Sequence, residues 1–128
     1  MRDIEHRIQQ AYFTWAMYAR VEYPDLELLY AIPNGGARNV QTGARLKAEG
    51  VRRGVPDMHL PVARGEFIGL WLEFKTETNY ADAEQKKRME RLRAAGHRCE
   101  IVRSADDARR ITEEYLTVHN LKRNANVF

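Results

Sequence analysis

The segment of residues 66–75 constrains the fold of this chain most strongly, because its side chains alternate as they do in a half-buried strand. One face of the predicted strand is apolar and is expected to lie in the core: Ile68, Leu70, Leu72 and Phe74. The opposite face carries Trp71 and, at the end of the strand, the charged side chains of Glu73 and Lys75. Because an unpaired buried charge is costly, these two groups must form an ion pair, bind a metal or face solvent.

Further segments of regular structure surround this strand. We predict helices at 4–20, 40–49, 82–95 and 104–116, and strands at 26–32, 55–62 and 98–103. The resulting order, α-β-α-β-β-α-β-α, is that of an α/β (α+β) domain. We expect residues 1–116 to form this one domain and residues 117–128 to be a polar C-terminal tail.

Composition excludes several classes of protein. The single cysteine, Cys99, cannot form an internal disulfide or a cysteine-based zinc site, which leaves a reducing cytoplasm as the expected location. No apolar run approaches the roughly 18 residues of a membrane span, and the first residues lack the core of a signal peptide. We therefore expect a cytoplasmic protein with no membrane partner.

Asp57 supplies a second carboxylate near Glu73. It follows Pro56 at the start of the strand that we pair with residues 66–75 as a β-hairpin, so its side chain is expected to converge with that of Glu73. Two carboxylates in one pocket repel each other, and the pKa of one of them rises unless a cation lies between them. Oxygen ligands of this kind suit Mg²⁺, which commonly uses one or two carboxylates together with water and substrate phosphate.

These residues match a known motif. Pro56-Asp57 followed by Glu73-Phe74-Lys75 resembles the signature of the PD-(D/E)xK nucleases. The stretch of residues 50–57 (Gly-Val-Arg-Arg-Gly-Val-Pro-Asp), with Gln85 and residues 95–98 (Ala-Gly-His-Arg) downstream, resembles the VRR-NUC family, the virus-type replication-repair nucleases, in its stand-alone phage or bacterial form. The resemblance covers roughly residues 1–116. It implies a restriction-endonuclease-like core, with a central mixed β-sheet flanked by helices.

The resemblance also implies five catalytic residues: Asp57, Glu73, Lys75, Gln85 and Glu5. Of these, Asp57, Glu73 and Glu5 would hold Mg²⁺, or Mn²⁺ in its place, together with the backbone carbonyl of Phe74. Lys75 would orient or activate the attacking water and help to neutralise the scissile phosphate. The products would carry 5′-phosphate and 3′-hydroxyl ends.

Each of these residues also has a simpler explanation. Asp57 follows a proline, as turn residues do. Glu73 and Lys75 form the kind of pair that solvated edge strands carry, and Glu5 suits the first turn of a helix. Gln85 is harder to explain at a surface, because it shares a helical stripe with apolar residues and an inward-facing amide needs partners.

Positive charge is concentrated just before the predicted metal-binding strands. Residues 38–64 hold six basic and two acidic side chains, whereas the net charge of the whole chain is only +3. Such a cluster can be a merely solvated face, but beside a phosphodiester-cleaving site it supplies the nonspecific part of DNA binding. We predict DNA contacts from five of the basic residues: Arg52, Arg53, Lys47, Arg45 and Arg38.

Together these observations predict a Mg²⁺-dependent deoxyribonuclease, an endonuclease that hydrolyses phosphodiester bonds. The resemblance implies a preference for branched DNA, in the manner of Holliday junction resolvases and DNA repair, in the bacterial host cytoplasm if the protein is phage-encoded. It also implies a homodimer, because one domain holds one active site and symmetric cutting of two strands needs two. Two alternatives remain open: a nucleic-acid-binding protein that keeps the nuclease fold without cutting, and a restriction-type endonuclease that reads a sequence.

Overall fold

In the computed structural model, which describes residues 2–33 and 40–118, a four-stranded sheet lies between two layers of helices. The elements of the described residues follow in chain order: α1 (Arg2–Ala19), a 3₁₀ helix (Pro24–Leu28), β1 (Tyr30–Ala31), α2 (Val40–Ala48), β2 (Met58–Leu60), β3 (Leu70–Phe74), α3 (Ala83–Ala94), β4 (Arg98–Val102) and α4 (Ala105–Thr117). The predicted fold class and the predicted order of helices and strands are confirmed.

The sheet is mixed, as expected. Its strand order is β1-β2-β3-β4, with β2 antiparallel to both β1 and β3, whereas β3 and β4 are parallel. The parallel pair requires a crossover connection, and α3 supplies it. Strand β3, which ends in the predicted Glu73-Phe74-Lys75 motif, therefore has a hydrogen-bonded strand on each side.

The main core lies between one face of the sheet and the helices α1 and α4. Leu70, Leu72 and Phe74 of β3 are each 1% exposed on this face. Helices α1 and α4 are also joined directly, because the buried hydroxyl of Tyr12 hydrogen-bonds the hydroxyl of Thr112 over 2.7 Å. A smaller cluster on the opposite face packs α3 against β4. The two layers fix the orientation of β3 and of the polar groups at its end.

Two predictions about the strands are wrong. Residues 26–32 are not one buried strand, because Pro24 starts a 3₁₀ helix and only Tyr30 and Ala31 pair with β2. Leu26 within this helix and Leu29, its C-cap residue, are both buried. Ile68, expected in the core, is 46% exposed because it precedes β3.

The ends of the helices agree with the sequence. Gly50 and Gly96, which follow α2 and α3, adopt positive φ angles of 105° and 107°. The side chain of Ser104 accepts a hydrogen bond from the backbone N–H of Asp107 and so caps α4. Residues 119–128, most of the predicted tail, lie outside the described residues. In the part of the chain that is described, no helix combines the length and apolarity needed to span a bilayer.

Candidate active site

Asp57 and Glu73 lie opposite each other at the end of the β2–β3 pair. Met58 pairs with Leu72 in the antiparallel register, so the next position along each strand brings Asp57 beside Glu73. The Asp57 carboxylate is fixed in place, because its Oδ2 accepts a hydrogen bond of 2.8 Å from the backbone N–H of Phe74. The convergence of the two carboxylates that the hairpin predicted is therefore present.

The two oxygens of the Glu73 carboxylate have different surroundings. Oε2 lies 3.2 Å from the ammonium nitrogen of Lys75 and accepts a hydrogen bond of 3.1 Å from the side-chain amide of Gln85. Oε1 is buried and has no hydrogen-bond partner among the described residues. A buried oxygen without a hydrogen-bond partner lowers the stability of the fold. Oε1 is therefore the atom of this site at which a bound ligand would remove that penalty.

Glu73 and Lys75 are themselves almost completely enclosed, with exposures of 3% and 7%. They are therefore not the solvated edge-strand pair that the sequence left open. Burial, and after it the neighbouring Asp57 carboxylate, raises the pKa of Glu73 to about 8, although Lys75 opposes both effects. A group of positive charge on the Oε1 side would favour the ionised carboxylate and lower this pKa.

Gln85 is positioned by the start of α3. The side chain of Asp82 accepts from the backbone N–H of Gln85 over 2.8 Å, and the Gln85 side-chain oxygen accepts from the backbone N–H of Asp82 over 2.9 Å. This reciprocal pair is a capping box, which the Asp-x-x-Gln spacing could have revealed from the sequence. The oxygen of Gln85 thus anchors the helix while its nitrogen is directed to Glu73.

Glu5 of α1 reaches the loop that follows Lys75. Its Oε2 accepts hydrogen bonds from the side-chain amide of Asn79 over 2.8 Å and from the backbone N–H of Thr76 over 3.3 Å. Arg103 supports the same loop, because its guanidinium donates to the backbone carbonyl of Asn79 over 2.7 Å. Glu5 therefore approaches the end of the Glu73-Phe74-Lys75 motif through the loop of residues 76–79.

The donor set at the end of β3 fits a hard divalent cation. Within residues 2–33 and 40–118, no group of three or more His, Cys, Asp or Glu side chains is arranged to hold a metal by itself. Mg²⁺ does not need such a group, because it keeps several waters and takes one or two carboxylates. The unpartnered Oε1 of Glu73 and the neighbouring Asp57 carboxylate provide that arrangement.

A groove with a volume of about 1260 Å³ runs beside this site, between α2 with the loop that follows it and the first half of α3. We call it the basic groove, because four basic side chains line it: Lys47, Arg52, Arg53 and Arg88. Gln85 also lines it and connects it to Glu73. Arg45 is exposed on α2 but is not among the described lining residues, and Arg38 lies outside the described residues.

Four ring side chains that the sequence did not associate adjoin the two carboxylates on the same face of the sheet. His59 stacks on Trp71 with ring centroids 3.8 Å apart, and its Nδ1 hydrogen-bonds the hydroxyl of Tyr30 over 2.7 Å. The indole N–H of Trp71 donates to Nδ1 of His97 over 3.1 Å. The pairing of β1, β2 and β3 aligns Tyr30, His59 and Trp71 in one row, which the alternation of each strand alone does not reveal.

Comparison with known proteins identifies one relevant fold. No protein-family model matches this sequence, and no curated protein matches it either. A solved structure described as a "VRR_NUC domain protein" matches it with a TM-score of 0.77 and 25% sequence identity, covering 91% of this chain and 90% of its own. The resemblance to a VRR-NUC domain, indicated first by Pro56-Asp57 and Glu73-Phe74-Lys75, is thus confirmed by the fold of nearly the whole chain.

Proposed function

We propose that this chain is a divalent-metal-dependent DNA endonuclease that hydrolyses phosphodiester bonds. The observation that carries the proposal is the buried, unpartnered Oε1 of Glu73 beside the Asp57 carboxylate, with the Lys75 ammonium 3.2 Å from Oε2 of Glu73. Two carboxylates and one lysine at the end of neighbouring strands are the groups that metal-assisted phosphodiester hydrolysis needs. The similarity to a VRR-NUC domain gives the same reaction class.

Asp57 and Glu73 would hold the cation, with the Phe74 carbonyl as a further proposed ligand. When bound, Mg²⁺, or Mn²⁺ in its place, would lower the pKa of water and stabilise the charge that develops on the phosphoryl oxygens. The Phe74 N–H fixes Asp57, and Gln85 with Lys75 fixes Oε2 of Glu73. This leaves Oε1 as the oxygen for the cation.

Lys75 has two roles in the proposed reaction. Its ammonium pairs with Glu73 in an almost fully buried position, so it is held rigidly at the edge of the site. From there it can orient the attacking water and offset the negative charge of the scissile phosphate. We propose Glu5 as the additional acidic residue of the site, acting beside the loop of residues 76–79 that it supports.

The proposed DNA contacts come from the basic residues before β2. Lys47, Arg52 and Arg53 line the groove that leads to Gln85, and Arg45 is exposed on the neighbouring α2. Arg38 completes the proposed set. Phosphate contacts of this kind position the nucleic acid without reading its sequence. This supports a nuclease that responds to the shape of DNA more than to its sequence.

We further propose a homodimer that prefers branched DNA. One chain carries one Asp57–Glu73 pair, whereas cutting two strands of a junction symmetrically requires two. Sedimentation of the purified protein gives the oligomeric state, and a panel of four-way junction, flap, splayed and linear duplex DNA gives the preference. A monomer that cleaves a single short sequence in linear duplex would replace both proposals by the restriction-type alternative.

The central experiment compares three variants of the site on that panel with Mg²⁺, Mn²⁺ or EDTA. We expect Asp57→Ala, Glu73→Ala and Lys75→Ala to lower the cleavage rate at least about 100-fold while largely preserving DNA binding. Glu27→Ala and Arg20→Ala are charge-matched controls, because these two residues form an exposed ion pair on the 3₁₀ helix and the end of α1. DNA binding by the wild type without any metal-dependent cleavage would overturn the proposal in favour of a non-cleaving binding protein.

A further inference from the structure

Helix α3 is a second basic element that lies outside the cluster of residues 38–64. Its twelve residues include two acidic and five basic side chains, the latter being Lys86, Lys87, Arg88, Arg91 and Arg93. Positions three and four apart share a helix face, which places Lys87 and Arg91 on one exposed stripe with Arg88 beside them. Arg93 is committed elsewhere, because its guanidinium donates to the backbone carbonyl of Cys99 over 2.8 Å.

Arg88 belongs to the wall of the basic groove that faces the loop after α2. Lys47, Arg52 and Arg53 line the opposite wall. One guanidinium nitrogen of Arg88 lies 3.4 Å from the backbone carbonyl of Arg53, so the two walls meet at this point. Two acidic residues, Asp82 and Glu84, also line the groove, and Asp82 is occupied by the cap of α3.

The two walls are held together by a close backbone approach at Gly54. This glycine has a φ angle of +80°, and a Cβ atom at its position would lie 2.9 Å from the backbone oxygen of Glu84. The loop that carries Arg52 and Arg53 therefore packs directly on the first turn of α3. The next residue of that turn is Gln85, which hydrogen-bonds Glu73. The groove is thus built as one unit with the candidate active site.

We propose that a DNA strand next to the scissile phosphate lies in the basic groove and that its backbone continues along Lys87, Arg88 and Arg91 of α3. The inference rests on the proposed nuclease function and adds a second contact surface to it. Charge complementarity identifies the occupant, because positive charge lines the groove and extends beyond it along the stripe. Continuity with Glu73 through Gln85 gives the direction in which the strand enters.

The test measures DNA binding in EDTA, where cleavage does not interfere. Anisotropy of a labelled oligonucleotide, single-stranded, duplex or junction, is recorded between about 50 and 200 mM salt. For the double variant Lys87→Ala/Arg91→Ala and for Arg88→Gln, we expect the slope of log affinity against log salt to decrease by about 0.7–0.9 for each DNA phosphate that the variant no longer neutralises. Lys87 and Arg91 are exposed, so replacing them should not disturb the fold. Arg88 also contacts the loop through the Arg53 carbonyl, so its replacement can change the loop as well as the charge.

The matched control removes two positive charges from the other side of the sheet. Arg109→Ala/Arg110→Ala lies on α4, where both side chains are exposed, and we expect it to retain the wild-type slope. A double α3 variant with the wild-type slope, or with no greater decrease than the α4 control, would overturn the inference. If the α3 variant has a decreased slope but the wild type never cleaves DNA, the proposed nuclease function is refuted while the proposed DNA-binding surface is supported.

Discussion

The side-chain nitrogen of Gln85 donates a hydrogen bond of 3.1 Å to Oε2 of Glu73, while the oxygen of the same amide caps the start of α3. One side chain therefore ties a helix end to a candidate metal ligand. Because Oε2 is occupied by Gln85 and Lys75, the carboxylate is held with Oε1 directed away from them. The orientation of Glu73 depends on a residue that need not touch a metal.

Replacing Gln85 by alanine is expected to weaken metal binding more than folding. Loss of such an outer partner typically costs 10- to 100-fold in metal affinity or activity, so the Mg²⁺ concentration for half-maximal cleavage should rise by about that factor. Ser104→Ala is the control, because it removes a cap from α4 and costs about 1 kcal/mol of stability. If Gln85→Ala, Ser104→Ala and the wild type require the same Mg²⁺ concentration, Gln85 does not contribute to metal binding.

Glu5 can be tested against its own hydrogen-bond partner. In Glu5→Gln the negative charge is lost, and we expect slower cleavage and a higher Mg²⁺ requirement. In Asn79→Ala the carboxylate remains but loses its 2.8 Å hydrogen bond, so we expect a lower unfolding free energy, by about 1.5–3 kcal/mol, at an unchanged Mg²⁺ requirement. Titration of cleavage with Mg²⁺ and urea unfolding separate the two effects. If Glu5→Gln behaves as Asn79→Ala does, Glu5 acts only on the loop.

Two glycines with positive φ angles form a natural pair for measuring the importance of the loop–α3 contact. Gly50→Ala meets nothing within 4 Å and costs only backbone strain, about 1–2 kcal/mol. Gly54→Ala adds a collision with the Glu84 carbonyl and must shift the turn that carries Gln85. We expect Gly54→Ala, but not Gly50→Ala, to lower the cleavage rate, by up to about 100-fold. Folded variants with equal cleavage rates would show that the contact is dispensable.

In mild acid the raised pKa of Glu73 favours the folded state, whereas His97 is expected to lower the free energy of unfolding. Its Nδ1 accepts from the Trp71 indole, so the ring is neutral, and burial lowers the pKa of His97 below its ordinary value of 6.5. Below pH 6.5 the unfolded chain binds a proton that the folded ring resists, so the contribution of His97 to the unfolding free energy falls as the pH falls. Burial, and after it repulsion from His97 when that ring is protonated, lowers the pKa of His59 to about 4, and His59 adds to the trend of His97.

Urea unfolding at several pH values between 7 and about 4.5 checks this dependence, over the window in which unfolded histidine titrates. His97→Gln keeps an acceptor for the Trp71 N–H but does not titrate, so we expect its unfolding free energy to increase relative to that of the wild type as the pH decreases. His6→Gln, on the exposed surface of α1, is the matched control. A pH dependence that is identical in His97→Gln and the wild type would contradict the assignment.

The sequence is most informative where a local pattern has one physical solution. Alternation in residues 66–75 predicts β3, and its charged end predicts the approach of Asp57 to Glu73. The run of residues 26–32 is misleading because apolar residues at that density fit a strand equally well, and only their spacing of three separates a 3₁₀ helix. The same limit applies to the site. The sequence predicts that Gln85 faces inward, but not that its side chain bonds both Asp82 and Glu73, because the second bond depends on how α3 packs against β3.

Interactions between distant segments are beyond such reasoning. The basic groove requires the loop at Gly54 to lie against Glu84, thirty residues later in the chain. The sequence shows that α3 is basic, but it does not show that α3 forms one wall of the groove. Arg88 becomes a candidate only when the parallel crossover from β3 to β4 places α3 beside the loop.

The hydrogen bond between Tyr12 and Thr112 has a consequence for biosynthesis, since it joins residues 100 positions apart. The candidate catalytic side chains, from Glu5 to Gln85, are all synthesised before α4. The core that supports β3 needs α4, because Ile111, Thr112 and Tyr115 are buried in it or against it. Contacts so far apart in sequence cost loop-closure entropy and slow folding. We therefore expect a nascent chain that lacks α4 to carry the candidate site residues without the core that supports β3.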